Sequence, residues 1–234
     1  MRHVSLRLLI ALTTFTVGLV VAAVWMTRKV PTLEGPTALT TRCFPGLGQK
    51  IETLKAVEGG YFPARAFYQD EKRDRFVSNW YTRYPGQMNE PSILIPDNDQ
   101  NPSYRFLWLR SFHSTVVVRL WSDGVRQMLS VKELSRKSET QTGQLLVDQT
   151  RALKKEEWTG FVKLVEESCF WAVPTSTNDP TAMDGAWWVI EGAEKGYYHV
   201  ATRQSPGSGA YRELCLYMLK LSGLPLDESK GEIY

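Results

Sequence analysis

The feature that most constrains this chain is an uncharged stretch from Leu8 to Met26, LLIALTTFTVGLVVAAVWM, bracketed by Arg7 on one side and by Arg28 and Lys29 on the other. As a helix rising about 1.5 Å per residue, nineteen residues span about 28 Å, close to the ~30 Å of a bilayer's hydrocarbon core. A helix closes its own backbone hydrogen bonds, so lipid can surround it. The apolar character runs all round, with no polar face to offer water. Thr13, Thr14 and Thr16 can bond back to carbonyls one turn earlier, and Trp25 suits the headgroup level. The stretch therefore predicts a single-pass transmembrane helix, an uncleaved signal anchor behind a short basic tail at 1–7. The rival reading is a secretory signal cleaved after Ala23, with Arg2 and Arg7 as its basic region and Val21 at the −3 position. The run exceeds the usual 7–15 or so apolar residues of such a signal, which favours the anchor. The flanking cations tie and do not orient the helix. A short basic tail before one apolar run resembles an export signal, so the expectation is a domain on the external or periplasmic side.

The chain beyond the anchor is long enough for one domain. Residues 27–40 contain Pro31, Gly35 and Pro36 and predict a linker. A helical part is expected over 41–103, an α+β domain over 104–225 and a tail over 226–234. Formal net charge is only +3, and the cations are interspersed with acids. This argues against a nucleic-acid partner, which needs a concentrated basic surface. Cys43, Cys169 and Cys215 are spaced too widely for a metal knuckle. One disulfide is possible in an external domain, and the sequence leaves its pairing open.

Periodicity supplies the elements. Pro63 to Tyr84 predicts a helix with Phe76, Val77, Trp80, Tyr81 and Tyr84 on one face, ended by Pro85-Gly86. Strands are predicted at Tyr104–Phe112, Thr115–Trp121, Arg126–Leu134 and Gln144–Thr150, with Ser122-Asp123-Gly124 as a turn. A helix over about Lys154 to Ser168 carries Trp158, Phe161, Val162 and Val165 on one face. A second hairpin joins Ala186–Glu191 to Tyr197–Arg203 across residues 192–196. A last helix, Tyr211–Leu221, stops at Gly223. The order ββββ-α-ββ-α predicts an α+β fold: an antiparallel sheet of hairpins with helices packed on one face.

Candidate chemistry is sparse. His113 stands beside Arg110, Ser111 and Ser114, where a histidine next to a hydroxyl could act as a general base. His199 shares a predicted strand face with Tyr197, Ala201 and Arg203. Glu191 on the partner strand, or Asp184, could supply the carboxylate. The simpler reading of both histidines is structural: a hairpin residue and a polar sheet face. Trp187 and Trp188 must point to opposite faces of a strand. One of them, with Tyr198 and Arg203, is a candidate binding patch for a sugar ring or a protein. No phosphate-loop, dinucleotide or nucleophile-elbow motif occurs, and no metal or cofactor is implied.

The segments YRFLWLRSFH (104–113), LLVDQT (145–150), EEWTGFVKLVEESCFWAVPT (156–175), DGAWWVIEG (184–192), YYHVATRQSP (197–206) and YRELCLYMLKLSGL (211–224) together resemble a group of bacterial proteins of unknown function with an N-terminal membrane segment. The resemblance implies a bacterial origin and a membrane setting, and it carries no residue roles. The leading expectation is a membrane-tethered, non-enzymatic binding or structural domain of the bacterial envelope, with an envelope protein or wall component as partner. The alternatives are a hydrolase-like enzyme using His199 or His113, and a lipid- or small-molecule-binding module with a cavity between sheet and helices.

Overall fold

Two runs of alternating and near-continuous apolar residues build the centre of the molecule. A computed structural model describes residues 43, 48–54, 60–94, 101–135, 143–177, 184–226 and 233–234. The chain divides into Met1–Thr40 and Thr41–Tyr234, and the described residues belong to the second unit. The predicted anchor at 8–26 and linker at 27–40 lie outside them. Among the described residues no helix is long and apolar enough to cross a membrane.

The elements are β1 (Gln49–Lys50), a 3-10 turn (Ile51–Thr53), α1 (Glu71–Gln87), β2 (Ser103–Arg110), β3 (Thr115–Ser122), β4 (Gln127–Leu134) and β5 (Leu145–Ala152). They continue with α2 (Lys155–Glu167), a 3-10 turn (Phe170–Ala172), β6 (Ala186–Glu194), β7 (Tyr197–Gln204) and α3 (Ala210–Ser222). The strands form one seven-stranded antiparallel sheet in the order β1-β7-β6-β2-β3-β4-β5. The fold is thus α+β on an antiparallel sheet.

The two helices of the ββββ-α-ββ-α order pack on one face, as expected, and the preceding helix α1 covers the other. Tyr104, Phe106, Trp108, Val116, Val118 and Ile190 pack on one face under Phe161 and Val165 of α2 and Leu214 and Met218 of α3. Leu107, Leu109, Val117, Val189 and Val200 pack on the other against Phe62, Phe67 and Tyr81, which come from α1 and the segment before it. The reason is in the strands. Both parities of β2, β3 and β6 are apolar, and a strand apolar on both sides must be buried on both.

Two expected boundaries move for identifiable reasons. The first helix begins at Glu71, not Pro63, because Asp74 gathers the preceding chain into turns. Its buried carboxylate accepts the N–H groups of Arg65, Phe67 and Tyr68 at 2.7, 2.8 and 3.0 Å. Asp70 then caps the helix, accepting from Arg73 N–H at 2.8 Å. The β6–β7 turn is only two residues, Lys195 and Gly196, both at positive φ (52° and 78°), as a tight hairpin requires. Gly192, expected in that turn, is a strand residue. A Cβ there would meet Tyr104 at 2.7 Å and Phe170 at 2.8 Å, so glycine permits close ring packing.

The two edges of the sheet differ. On the β7 side, β1 pairs with Tyr197 and Tyr198, and residues 174–176 run alongside through a bridge from Ser176 to Thr202. On the other side β5 is the last strand, exposed over most of its length.

Candidate functional site

The richest polar constellation joins two of the candidate residues, Glu191 and Tyr198, to Arg105, Arg119, Lys132 and Glu90, which the sequence does not single out. It lies on the α1 face of the sheet, where β2, β3, β4, β6 and β7 contribute Arg105, Arg119, Lys132, Glu191 and Tyr198 among apolar neighbours. Arg105 Nε donates to Glu191 Oε1 at 2.7 Å, its Nη2 donates to the same oxygen, and both side chains are buried. Tyr198 Oη donates to Glu191 Oε2 at 2.8 Å, so both carboxylate oxygens are engaged. Arg105 Nη1 reaches Pro91 O at 2.8 Å. Next along the row, Arg119 Nε donates to Glu90 Oε2 at 2.9 Å. Lys132 Nζ stands 3.2 Å from Glu90 Oε1, a charge contact without hydrogen-bond alignment. Lys132 also donates to Met88 O at 2.8 Å, and Tyr61 Oη donates to Glu90 O.

These bonds share one consequence: they pin residues 88–91 onto the sheet. Carbonyls at the end of α1 need donors: Lys132 supplies one to Met88, the cap residue, and Arg105 binds Pro91 O just beyond it. Burial pushes the Glu191 carboxyl above its usual range, while Arg105 and the Tyr198 hydroxyl pull it back. Burial, then the neighbouring Glu191 carboxylate, push the Tyr198 hydroxyl well up. The network is a cross-brace closed under α1. Its signal in the sequence was a cation inside YRFLWLR at a position whose same-face neighbours, Leu107 and Leu109, are apolar.

Glu191 does not meet His199. The register sets Glu191 opposite Val200 and His199 opposite Gly192, so the two side chains leave opposite faces of the sheet. His199 is 4 % exposed and packs edge-on against Phe170 at 5.2 Å. Its Nε2 lies 2.9 Å from Val173 O. Burial lowers its pKa to about 4, against the Val173 bond, with Arg203 adding to the depression. Arg203 is half-buried and occupied: it donates to Pro174 O at 3.0 Å and to Thr175 O at 3.2 Å, and stacks over Tyr211. His199 and Arg203 thus hold the 173–175 segment along β7. Nearby, Cys43 and Cys169 form a disulfide with Cα atoms 5.5 Å apart, tying residue 43 to the end of α2. Cys215 is a free, buried thiol whose pKa is raised by burial.

The remaining candidates are dispersed. His113 Nδ1 lies 3.1 Å from Tyr234 Oη, which also accepts the Phe112 N–H at 3.2 Å. Asp184 is exposed, just before Gly185, whose carbonyl binds Ser111. Trp188 is fully buried and donates its indole N–H to Tyr234 O at 2.8 Å. Trp187 lies half-buried under α1, 6.2 Å from Trp80. Tyr198 is 2 % exposed. The expected aromatic patch of a tryptophan with Tyr198 and Arg203 therefore does not assemble on the surface. Among the described residues no cluster of histidines, cysteines and acids could hold a metal. A groove of about 390 Å³ lies at the sheet edge, lined by Leu129 and Val131 of β4, residues 148–151 of β5 and Ser222 at the end of α3.

These features define a class: a helix-covered antiparallel α+β domain, stapled by a disulfide, with a row of ionisable side chains braced beneath one helix. Compared with known proteins, the chain matches no protein-family model, no curated protein and no solved structure.

Proposed function

We propose that this chain is a membrane-tethered, non-enzymatic binding domain of the bacterial envelope, anchored through Leu8–Met26 and held on the external or periplasmic side. The observation that carries the non-enzymatic reading is the separation of Glu191 and His199 onto opposite sheet faces, each closed into internal hydrogen bonds. A general acid or base has to reach a reacting atom in a cleft, and neither group does. The Cys43–Cys169 disulfide supports the compartment, because such bonds persist outside the reducing cytosol.

Two measurements on the full chain in its own membrane test the reading. Alkylation of intact cells with a membrane-impermeant thiol reagent, after reduction, is expected to label Cys43 and Cys169. Protection of both from the reagent in intact cells, with labelling only after lysis, overturns the external placement. Turnover of a hydrolytic substrate that disappears in His199→Ala or His113→Ala, with the fold retained, overturns the non-enzymatic reading.

A further inference from the structure

We infer that β5 is a homodimerisation edge, through which two copies of this chain join their sheets antiparallel about a two-fold axis at Gln149. The inference is independent of the anchor's orientation and of the non-enzymatic reading.

The backbone carries the first part of the argument. Leu153 N–H donates to Gln127 O at 2.8 Å. Antiparallel ladders alternate, so Arg151, Gln149 and Val147 direct their backbone groups at Leu129, Val131 and Glu133 of β4. Asp148, Thr150 and Ala152 therefore turn theirs outward, where no strand follows among the described residues. The helical layers do not overhang this strand: Asp148 to Ala152 are all exposed and Leu146 is 52 % exposed. An open row of donors and acceptors is a template for another strand, and natural edges are usually blunted by lysine, proline or a bulge. Here the register irregularity sits at the start, beside Leu146. The stretch from Val147 to Ala152 contains no lysine and no proline. Its one cation, Arg151, folds back onto Glu157 at 2.8 Å and Leu221 O at 3.1 Å. Among the described residues nothing guards the centre of the edge.

The side chains carry the second part, the identity of the occupant. A two-fold axis normal to the sheet pairs residues of the same face, which leaves two registers that overlap the strand fully. One centres on Asp148 and sets two carboxylates directly opposite, which is repulsive. The other centres on Gln149. It sets Asp148 opposite Thr150, a carboxylate accepting from a hydroxyl, and Val147 opposite Arg151. At the axis two glutamine amides meet, each both donor and acceptor. The strand is thus self-complementary in one register only, and its outward-pointing residues are those that the Gln149-centred register pairs through hydrogen bonds.

The test uses the full chain in its native membrane and in detergent. Gln149→Cys places two thiols on a non-hydrogen-bonded pair, where Cα atoms lie about 4.5 Å apart, within disulfide reach. Mild oxidation is expected to cross-link it roughly tenfold more than Asp123→Cys on the exposed β3–β4 turn, reflecting a high effective concentration. Adding Thr150→Pro removes an outward N–H that β4 does not use, and is expected to abolish the cross-link while the melting temperature holds. Should that proline variant fail to fold, Gln149→Lys replaces it. Like charges at the axis should convert a sedimenting dimer to monomer. A monomeric parent, equal cross-linking of Gln149→Cys and Asp123→Cys, or stronger cross-linking of Asp148→Cys than of Gln149→Cys overturns the proposal. So does a partner of different sequence occupying the edge in place of the second copy.

Discussion

The two faces of the sheet reach the same end by different chemistry. Under α2 and α3 the core is built almost wholly from apolar side chains, with Phe161, Trp188, Leu214 and Met218 fully buried. Under α1 the apolar residues are interrupted by a row of charges, with Glu191, Arg105 and Glu90 buried and Arg119 and Lys132 partly buried. Apolar burial is non-directional and tolerates small shifts. A buried ion pair is worth little over an apolar substitute, yet costs several kcal/mol when broken on one side only. The apolar face should therefore respond to lost volume, and the braced face to lost pairing.

The sharpest way to break that comparison is a rescue experiment. Arg105→Met alone leaves Glu191 buried without its cation and is expected to cost about 3–5 kcal/mol in chemical denaturation. Adding Glu191→Leu should return the chain to within about 2 kcal/mol of the parent, the remaining cost being that of the Tyr198 hydroxyl and the Pro91 carbonyl, which both lose a partner. Phe161→Ala on the other face should cost a similar 3–5 kcal/mol or so through its cavity, with no such partner to restore it. If the double variant is as unstable as Arg105→Met, the row of charges does not act as paired braces.

A pH series probes the histidine sealed into the apolar side. His199 has a folded pKa of about 4 against about 6.5 for a free histidine. Between those values the unfolded chain binds a proton that the folded chain refuses. The stability from this group is therefore complete above about pH 6.5 and is lost as pH falls towards 4, by roughly 3 kcal/mol. His199→Gln should flatten the dependence over this window. A pH profile unchanged by that substitution would mean that the ring is not sealed.

Cys43→Ala is expected to cost about 2–4 kcal/mol, because the bond closes a loop across 126 residues of sequence. Reduction of the parent should lower its melting temperature towards that of the variant. This staple acts where the α2 layer ends, so it should leave the Arg105 rescue unchanged.

How far these differences could be read from the residues depends on the distance over which each is decided. The strands were legible because alternation is local, and so was Gly223 as the stop of α3, at φ 68°. The double-sided burial was latent in YRFLWLR, which is apolar at both parities. The pairing of charges was not, since Glu191 and Arg105 are brought together by register across 86 residues. Register also decided the fate of the candidate site. A five-residue turn at 192–196 sets Glu191 and His199 on one face; the actual two-residue turn at Lys195-Gly196 shifts the parity and sends them apart. Trp187 and Trp188 were separable from the sequence because adjacent strand residues always diverge. The choice of Cys43 and Cys169 over Cys215 needed three-dimensional proximity.

The smallest expected effect isolates burial from chemistry. Arg151 and Glu157 form the same kind of pair as Arg105 and Glu191, at 2.8 and 2.9 Å. Their side chains are 43 % and 23 % exposed, against 0 % and 2 % for the buried pair. The hydrogen bonds of Arg151, then of the Lys154 N–H, outweigh the mild desolvation and lower the Glu157 pKa, whereas burial raises that of Glu191. With a depressed folded pKa, the stability from Glu157 is present above the usual carboxylate range and lost as pH falls through it. Glu157→Gln should cost under about 1 kcal/mol near neutral pH, and less at high salt, because water already solvates both partners. A cost equal to that of Arg105→Met would show that geometry alone sets the strength of these pairs, and the contrast between the two faces would then have to rest on something other than burial.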